Sequence, residues 1–173
     1  MSVPYIKNKS KHMMQLRYTE QAIARWAEAF RERYHDNNVQ AGYDPSRPLQ
    51  TSIRFKVYNN SGNFEITFEL PEYWWYAEHG RGPGKMPPKG SLLQWMQFKQ
   101  ILPSPMTLSN GRTILPSMDS LEFLIRRKIR RDGTQGQHTW ELTEQQMKDR
   151  LISDVKEALT RDFTEYLNQL KNK

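Results

Sequence analysis

Two alternating stretches constrain this chain more than anything else in it. Thr51–Asn59 sets Ile53, Phe55 and Val57 against Arg54, Lys56 and Tyr58, and Asn63–Leu70 sets Phe64, Ile66, Phe68 and Leu70 against Glu65, Thr67 and Glu69. A period of two is that of a strand with one covered face. The four residues between them, Asn59-Asn60-Ser61-Gly62, tolerate positive φ, so the pair predicts an antiparallel hairpin. Inward positions are odd in the first strand and even in the second, so facing numbers sum to an odd number. A turn centred on Asn60-Ser61 then pairs Val57 with Phe64, Phe55 with Ile66 and Ile53 with Phe68. It also sets Lys56 opposite Glu65 on the wet face.

Helical spacing surrounds this hairpin. Leu16, Ile23, Trp26, Ala27, Phe30 and Tyr34 form one apolar stripe opposite Arg25, Glu28, Arg31, Glu32 and Arg33, with Thr19-Glu20 as the cap of the regular part. Asp36–Pro48 reads as a loop. After Pro71, the aromatic run Tyr73–Ala77 leads into the irregular Gly80–Pro88. Ser91 is placed to cap a short helix over Leu92–Gln100, which offers Leu93, Trp95 and Met96 for burial. Pro103, Pro105 and Pro116 bracket Met106–Leu115, where Asn110-Gly111 predicts a second, small hairpin. Ser117 starts a helix to about Arg131 with Met118, Leu121, Ile125 and Ile129 on one face. Gly133–His138 is a polar loop. The last helix takes Thr139 or Thr143 as cap, Thr143 with Gln146 fitting a capping box, and its stripe is Met147, Leu151, Val155, Leu159, Phe163, Tyr166 and Leu170. This order predicts an α+β fold: a hairpin-based antiparallel sheet packed on an N-terminal and a long C-terminal helix, with a short central helix and a second small hairpin. Residues 1–13 read as a basic arm and 14–173 as one domain, with a Pro-flanked hairpin insertion at about 102–116.

How much core such a chain can build is a matter of composition. Of 173 residues 36% are hydrophobic and the mean hydropathy is −0.87, yet 12% are aromatic. A thin core rich in large rings suits a subunit that completes its burial against neighbours. Zero cysteines exclude disulfides, zinc ribbons, thiol catalysis and iron–sulfur clusters. Lys7, Lys9 and Lys11 interrupt any secretory hydrophobic region, and the five-residue run Tyr73–Ala77 is far below the roughly 18 residues of a membrane span. The expected setting is a reducing cytoplasm, without membrane insertion. A net charge of +7 favours a polyanion or an acidic partner.

Catalytic motifs fail residue by residue. The P-loop spacing puts His79 where the first glycine belongs and Met86 after Lys85, and the dinucleotide pattern has Lys85 in place of its third glycine. His12, His35, His79 and His138 are too scattered for a local metal motif. Asp154-Val155-Lys156 lies within an amphipathic helix, and no Gly-x-Ser-x-Gly occurs. The reading is a non-enzyme without cofactor or metal. The strongest charge feature is Arg126-Arg127-Lys128-Ile129-Arg130-Arg131, whose cations fan out opposite the apolar stripe. It is either a solvated face complementing a helix C-terminus or a contact for nucleic acid or an acidic partner. Phe123, among these arginines on the face away from the core, suggests a covering surface.

From Tyr73 to Gly133 the sequence resembles the tail-completion and head–tail joining (neck) proteins of tailed bacteriophages. The matching pieces are Tyr76-Ala77-Glu78-His79-Gly80-Arg81-Gly82-Pro83-Gly84 after the hairpin, the Trp-bearing Leu93–Ile101, and Leu124–Ile129 followed by Arg131-Asp132-Gly133-Thr134. The Met106–Leu115 hairpin and the long last helix depart from the pattern. The resemblance implies a structural subunit of a ring in the virion neck, assembled in the host bacterial cytoplasm, that meets copies of itself, portal or tail proteins and, non-specifically, the packaged DNA. It implies that Trp74, Trp75 and Tyr76 divide between core and interface. Glu78 would fix the loop or pair with Arg81, and Gly80 and Gly82 would supply backbone freedom. Arg126, Arg127, Lys128, Arg130 and Arg131 would face DNA phosphates. The rival expectation is a sequence-nonspecific nucleic-acid-binding protein using the basic helix 126–131.

Overall fold

A computed structural model describes residues 14–44 and 51–172, and the fold is α+β. The basic arm at 1–13 and part of the predicted 36–48 loop lie outside the described residues. The elements are α1 (Arg17–Gln40), β1 (Arg54–Asn60), β2 (Asn63–Glu69), α2 (Trp74–His79), β3 (Gly80–Arg81), α3 (Leu93–Phe98), β4 (Met106–Thr107), β5 (Thr113–Ile114), α4 (Met118–Asp132), β6 (Thr134–Gln135) and α5 (Thr139–Lys171). They form three two-stranded sheets, β1-β2, β3-β6 and β4-β5. The chain divides into two compact units. The first takes residues up to Phe30, Phe55–Thr67 and those from Gln146 on; the second takes Arg31–Arg54 and Phe68–Gln145.

In the first unit, Ala22, Ile23, Trp26, Ala27 and Phe30 of α1 are buried together with Met147 and Ala158 of α5. The Trp26 Nε1–H donates to the Met147 carbonyl at 2.9 Å, giving a buried indole its polar partner. Thr19 lies inside α1 rather than capping it. Its N–H and hydroxyl donate to Asp162 Oδ2 at 2.9 and 2.7 Å, and the Tyr18 N–H donates to Asp162 Oδ1 at 2.9 Å. Asp162 thus serves the open amides of the first turn of α1 from a distant part of the chain.

The β1-β2 hairpin forms, and its exposure alternates as expected, Phe55, Val57, Phe64, Ile66 and Phe68 being the half-buried positions. The turn sits one residue later than predicted. Ser61 (φ 56°) and Gly62 (φ 94°) make it, the pair of positive φ values that a type I′ link demands, so Asn60 belongs to the strand. The Asn59 side chain accepts the Gly62 N–H at 3.0 Å. Asn60 and Asn63 then flank a two-residue link, which keeps facing numbers odd in sum but displaces the predicted Val57–Phe64 register.

The α5 stripe is the largest departure. Met147 and Ala158 are buried and Asp162 lies with them, whereas Leu159, Phe163 and Leu170 are exposed. Steps of four residues advance about 40° around a helix each time, so a line from Met147 to Phe163 has turned about 160° away from its start. The buried line takes eleven residues from Met147 to Ala158, where the predicted one took twelve to reach Leu159.

In the second unit α1 continues to Gln40, beyond the expected end at Tyr34, because Asn37 and Asn38 are buried and bonded there. The second hairpin pairs Met106 with Ile114 and Thr107 with Thr113. Five residues join its strands and only Gly111 among them has positive φ, so this is not the tight type I′ turn that Asn-Gly suggests. Helix α4 starts as predicted, with Ser117 Oγ accepting the Ser120 N–H at 3.2 Å.

Candidate interface around helix α2

Helix α2 is six residues long, and its residues part in two directions. Trp74 turns inward: its ring meets Trp140 edge-on at 5.6 Å between centroids, and Trp140 is also met edge-on by Tyr34 and Phe68 at 5.2 Å each. Trp75 and Tyr76 face outward, 55% and 58% exposed. Trp75 stacks on the His79 ring at 3.8 Å and 23°, and His79 approaches His138 at 6.2 Å. Trp74 thus packs within the unit, while Trp75 and Tyr76 are left outward.

Glu78, 3% exposed, fastens α2 to the start of α5. Both its carboxylate oxygens accept the Trp140 N–H at 3.0 Å, and Oε1 accepts the Glu141 N–H at 3.2 Å. A carboxylate there satisfies amides that the helix leaves open and meets the positive end of its dipole. Of the two expected caps, Thr139 is the first residue of the helix and Thr143 lies a turn inside it, and this contact takes the place of a hydroxyl cap. Thr143 lies within α5, donating to the Thr139 carbonyl at 2.7 Å and accepting Asn37 Nδ2 at 2.8 Å. Thr139 Oγ1 donates to Asn38 Oδ1 at 2.7 Å. The Tyr43 hydroxyl donates to the Ala77 carbonyl at 3.0 Å, and burial, followed by electrostatic repulsion from the ionised forms of Tyr34 and Glu78, pushes its phenol up to about 12. Most of the fully covered positions of this unit are therefore polar and joined to one another.

The loop expected to be irregular is stitched down. Gly80 and Arg81 (β3) pair with Gln135 and Thr134 (β6), and the ladder continues as the Gln137 and His138 N–H groups donate to the Ala77 and Glu78 carbonyls at 3.1 and 3.2 Å. The close approach explains the glycines. A Cβ on Gly80 would lie 2.3 Å from the Thr134 oxygen, and one on Gly136 would lie 2.1 Å from the Glu78 oxygen. Gly82 has open space where a Cβ would lie and no positive φ, so neither packing nor backbone conformation requires a glycine there. Arg81 does not pair with Glu78. Its guanidinium donates to the Lys85 carbonyl instead, because Glu78 is already engaged with amides of α5.

The basic helix is partly committed. Arg126 Nε donates to the Pro87 carbonyl at 2.8 Å. Lys128 and Arg131 hold Asp132 at 3.1 and 2.6 Å, and the hydrogen bonds to these cations keep its carboxyl far below the usual carboxylate range. Arg127 and Arg130 are exposed, and Phe123 is 50% exposed on the same helix. Sequence reasoning missed Glu122, 1% exposed on the supposed apolar face of α4, whose Oε1 accepts the Leu92 N–H at 3.4 Å. Its position between Met118 and Ile125 was the available signal. The predicted Ser91 cap fails in the same place: Ser91 Oγ donates to the Pro88 carbonyl.

Among the described residues no cluster of three or more histidine or acidic side chains is disposed to hold a metal, and no helix is long and apolar enough to cross a membrane. No protein-family model, curated protein or solved structure matches the chain.

Proposed function

We propose that this chain is a structural subunit of a ring at the head–tail junction of a tailed bacteriophage, a non-enzymatic tail-completion or connector protein of the virion. The observation that carries the reading is the state of α2. Trp75 and Tyr76 stand more than half exposed on a helix whose backbone and Glu78 are anchored from below. Large exposed rings on a fixed support suit a protein contact. Head-to-tail contacts of one copy with the next close into a ring when their rotation divides a circle. The order of sequence pieces resembling neck proteins supports the same assignment.

Negative-stain imaging of the purified chain, alone and co-expressed with a portal-like protein, tests this. Rings or a stoichiometric complex are expected; a chain that stays a monomer in both samples overturns it. Arg127 and Arg130 favour a second reading, contact with nucleic-acid phosphates that ignores sequence. For it, DNA affinity falls steeply with salt, and Arg127→Ala with Arg130→Ala lowers the salt slope by about 2.

A further inference from the structure

The exposed side of α5 has a symmetry of its own. Ile152, Leu159, Phe163 and Leu170 are 53%, 40%, 54% and 47% exposed, so about half of each side chain faces outward. At 100° per residue all four fall within about 40° of one another, with Lys156 and the half-buried Tyr166 at the margins of the same stripe. Their spacings are seven, four and seven, which read the same from either end. Taken as heptads, Ile152, Leu159 and Tyr166 repeat at one seam position, and Asp149, Lys156, Phe163 and Leu170 repeat at the other.

We infer that α5 pairs with α5 of a second copy of this chain, antiparallel, about a two-fold axis level with Arg161. Reversing the helix about that point sets Ile152 against Leu170, Leu159 against Phe163 and Lys156 against Tyr166, so every apolar seam residue meets another and no seam charge meets its like. The Lys156 stem lies along the Tyr166 ring with its ammonium at the edge. A parallel pair sets Lys156 on Lys156 and Asp149 on Asp149, two like-charge contacts inside the seam, and these select against it. An isologous contact of this kind needs only one self-complementary surface, which the palindromic spacing provides. The pairing does not depend on the neck assignment, whose contacts lie around α2.

Sedimentation equilibrium on the full chain measures it. A dimer is expected, and Phe163→Glu is expected to shift it to monomer with unchanged helical circular dichroism. Direction is read by cross-linking, since the chain has no cysteine of its own. Ile152→Cys and Leu170→Cys chains, mixed, should be joined by a short bifunctional thiol reagent, while neither should join to itself. In the antiparallel pair the two Ile152 positions lie about 27 Å apart along the axis. Self-linking of Ile152→Cys overturns the proposal. So does a monomer at every concentration, and so does a chain that pairs only after residues 1–13 are removed, which would make that arm the occupant of the stripe. An assembly that Phe163→Glu leaves intact overturns the α5 pairing while sparing the ring reading.

Discussion

Glu78 receives the Trp140 amide on both carboxylate oxygens, at 3.0 Å each, across a separation of 62 residues. Two other buried acids do similar work: Asp162 takes the Tyr18 and Thr19 amides at the start of α1, and Glu122 takes the Leu92 amide at the start of α3. Three helix starts are therefore capped by carboxylates borrowed from elsewhere in the fold. Charge-assisted bonds to backbone N–H are among the stronger ones, and burial removes the competing water.

Removing that carboxylate tests how much α2 depends on it. Glu78→Ala leaves the Trp140 and Glu141 amides uncovered inside the protein and is expected to cost about 2–3 kcal/mol. Glu78→Gln keeps one accepting oxygen and should lose less. Urea titrations followed by tryptophan fluorescence give both values; a loss below about 0.5 kcal/mol for Glu78→Ala contradicts the capping role.

This arrangement also marks what can be read from sequence. The hairpin is legible because a period of two needs only neighbours along the chain, and it forms at its predicted place with the turn moved to Ser61-Gly62. Apolar spacing placed the first, fourth and last long helices. The caps at Thr19, Ser91 and Thr143 were misread together. A hydroxyl near a helix start is a local signal, whereas Asp162 meets Thr19 from 143 residues away. The aromatic run announced α2 as a packed element but said nothing of β6 clamping the glycine loop. That contact depends on Gly80 and Gly136 meeting backbone from distant segments.

Glycine substitutions separate contact from mere flexibility. Gly136→Ala puts a methyl 2.1 Å from the Glu78 carbonyl oxygen, and Gly80→Ala combines a similar clash with φ 79°. Each is expected to lower stability by about 2 kcal/mol or more. Gly82→Ala, with open space around it, should stay within about 0.5 kcal/mol. Equal behaviour of the three in thermal melts would refute the clamp.

The exposed rings make a prediction about assembly rather than folding. Replacing Tyr76 by Ser, or Phe123 by Ser, removes an outward side chain and should change monomer stability by no more than about 0.5 kcal/mol. If these rings bury against a neighbour, each loss should abolish or strongly weaken the assembled species in size-exclusion chromatography. Rings that persist in the double variant would place the contact elsewhere.

Tyr43 ties stability to alkaline pH. An ordinary phenol titrates near 10, and in the folded chain burial raises this one to about 12. The folded state then holds the proton more tightly than the unfolded chain does. The stabilisation is complete below pH 10 and is lost as the pH rises through about 12. Unfolding midpoints in urea should fall across that window. Tyr43→Phe should flatten the fall and, by removing the bond to the Ala77 carbonyl, cost about 1 kcal/mol at neutral pH. Ultraviolet difference titration should show one phenolate signal lost from the latest part of the curve; a variant with an unchanged titration would mean that Tyr43 ionises freely in the folded protein.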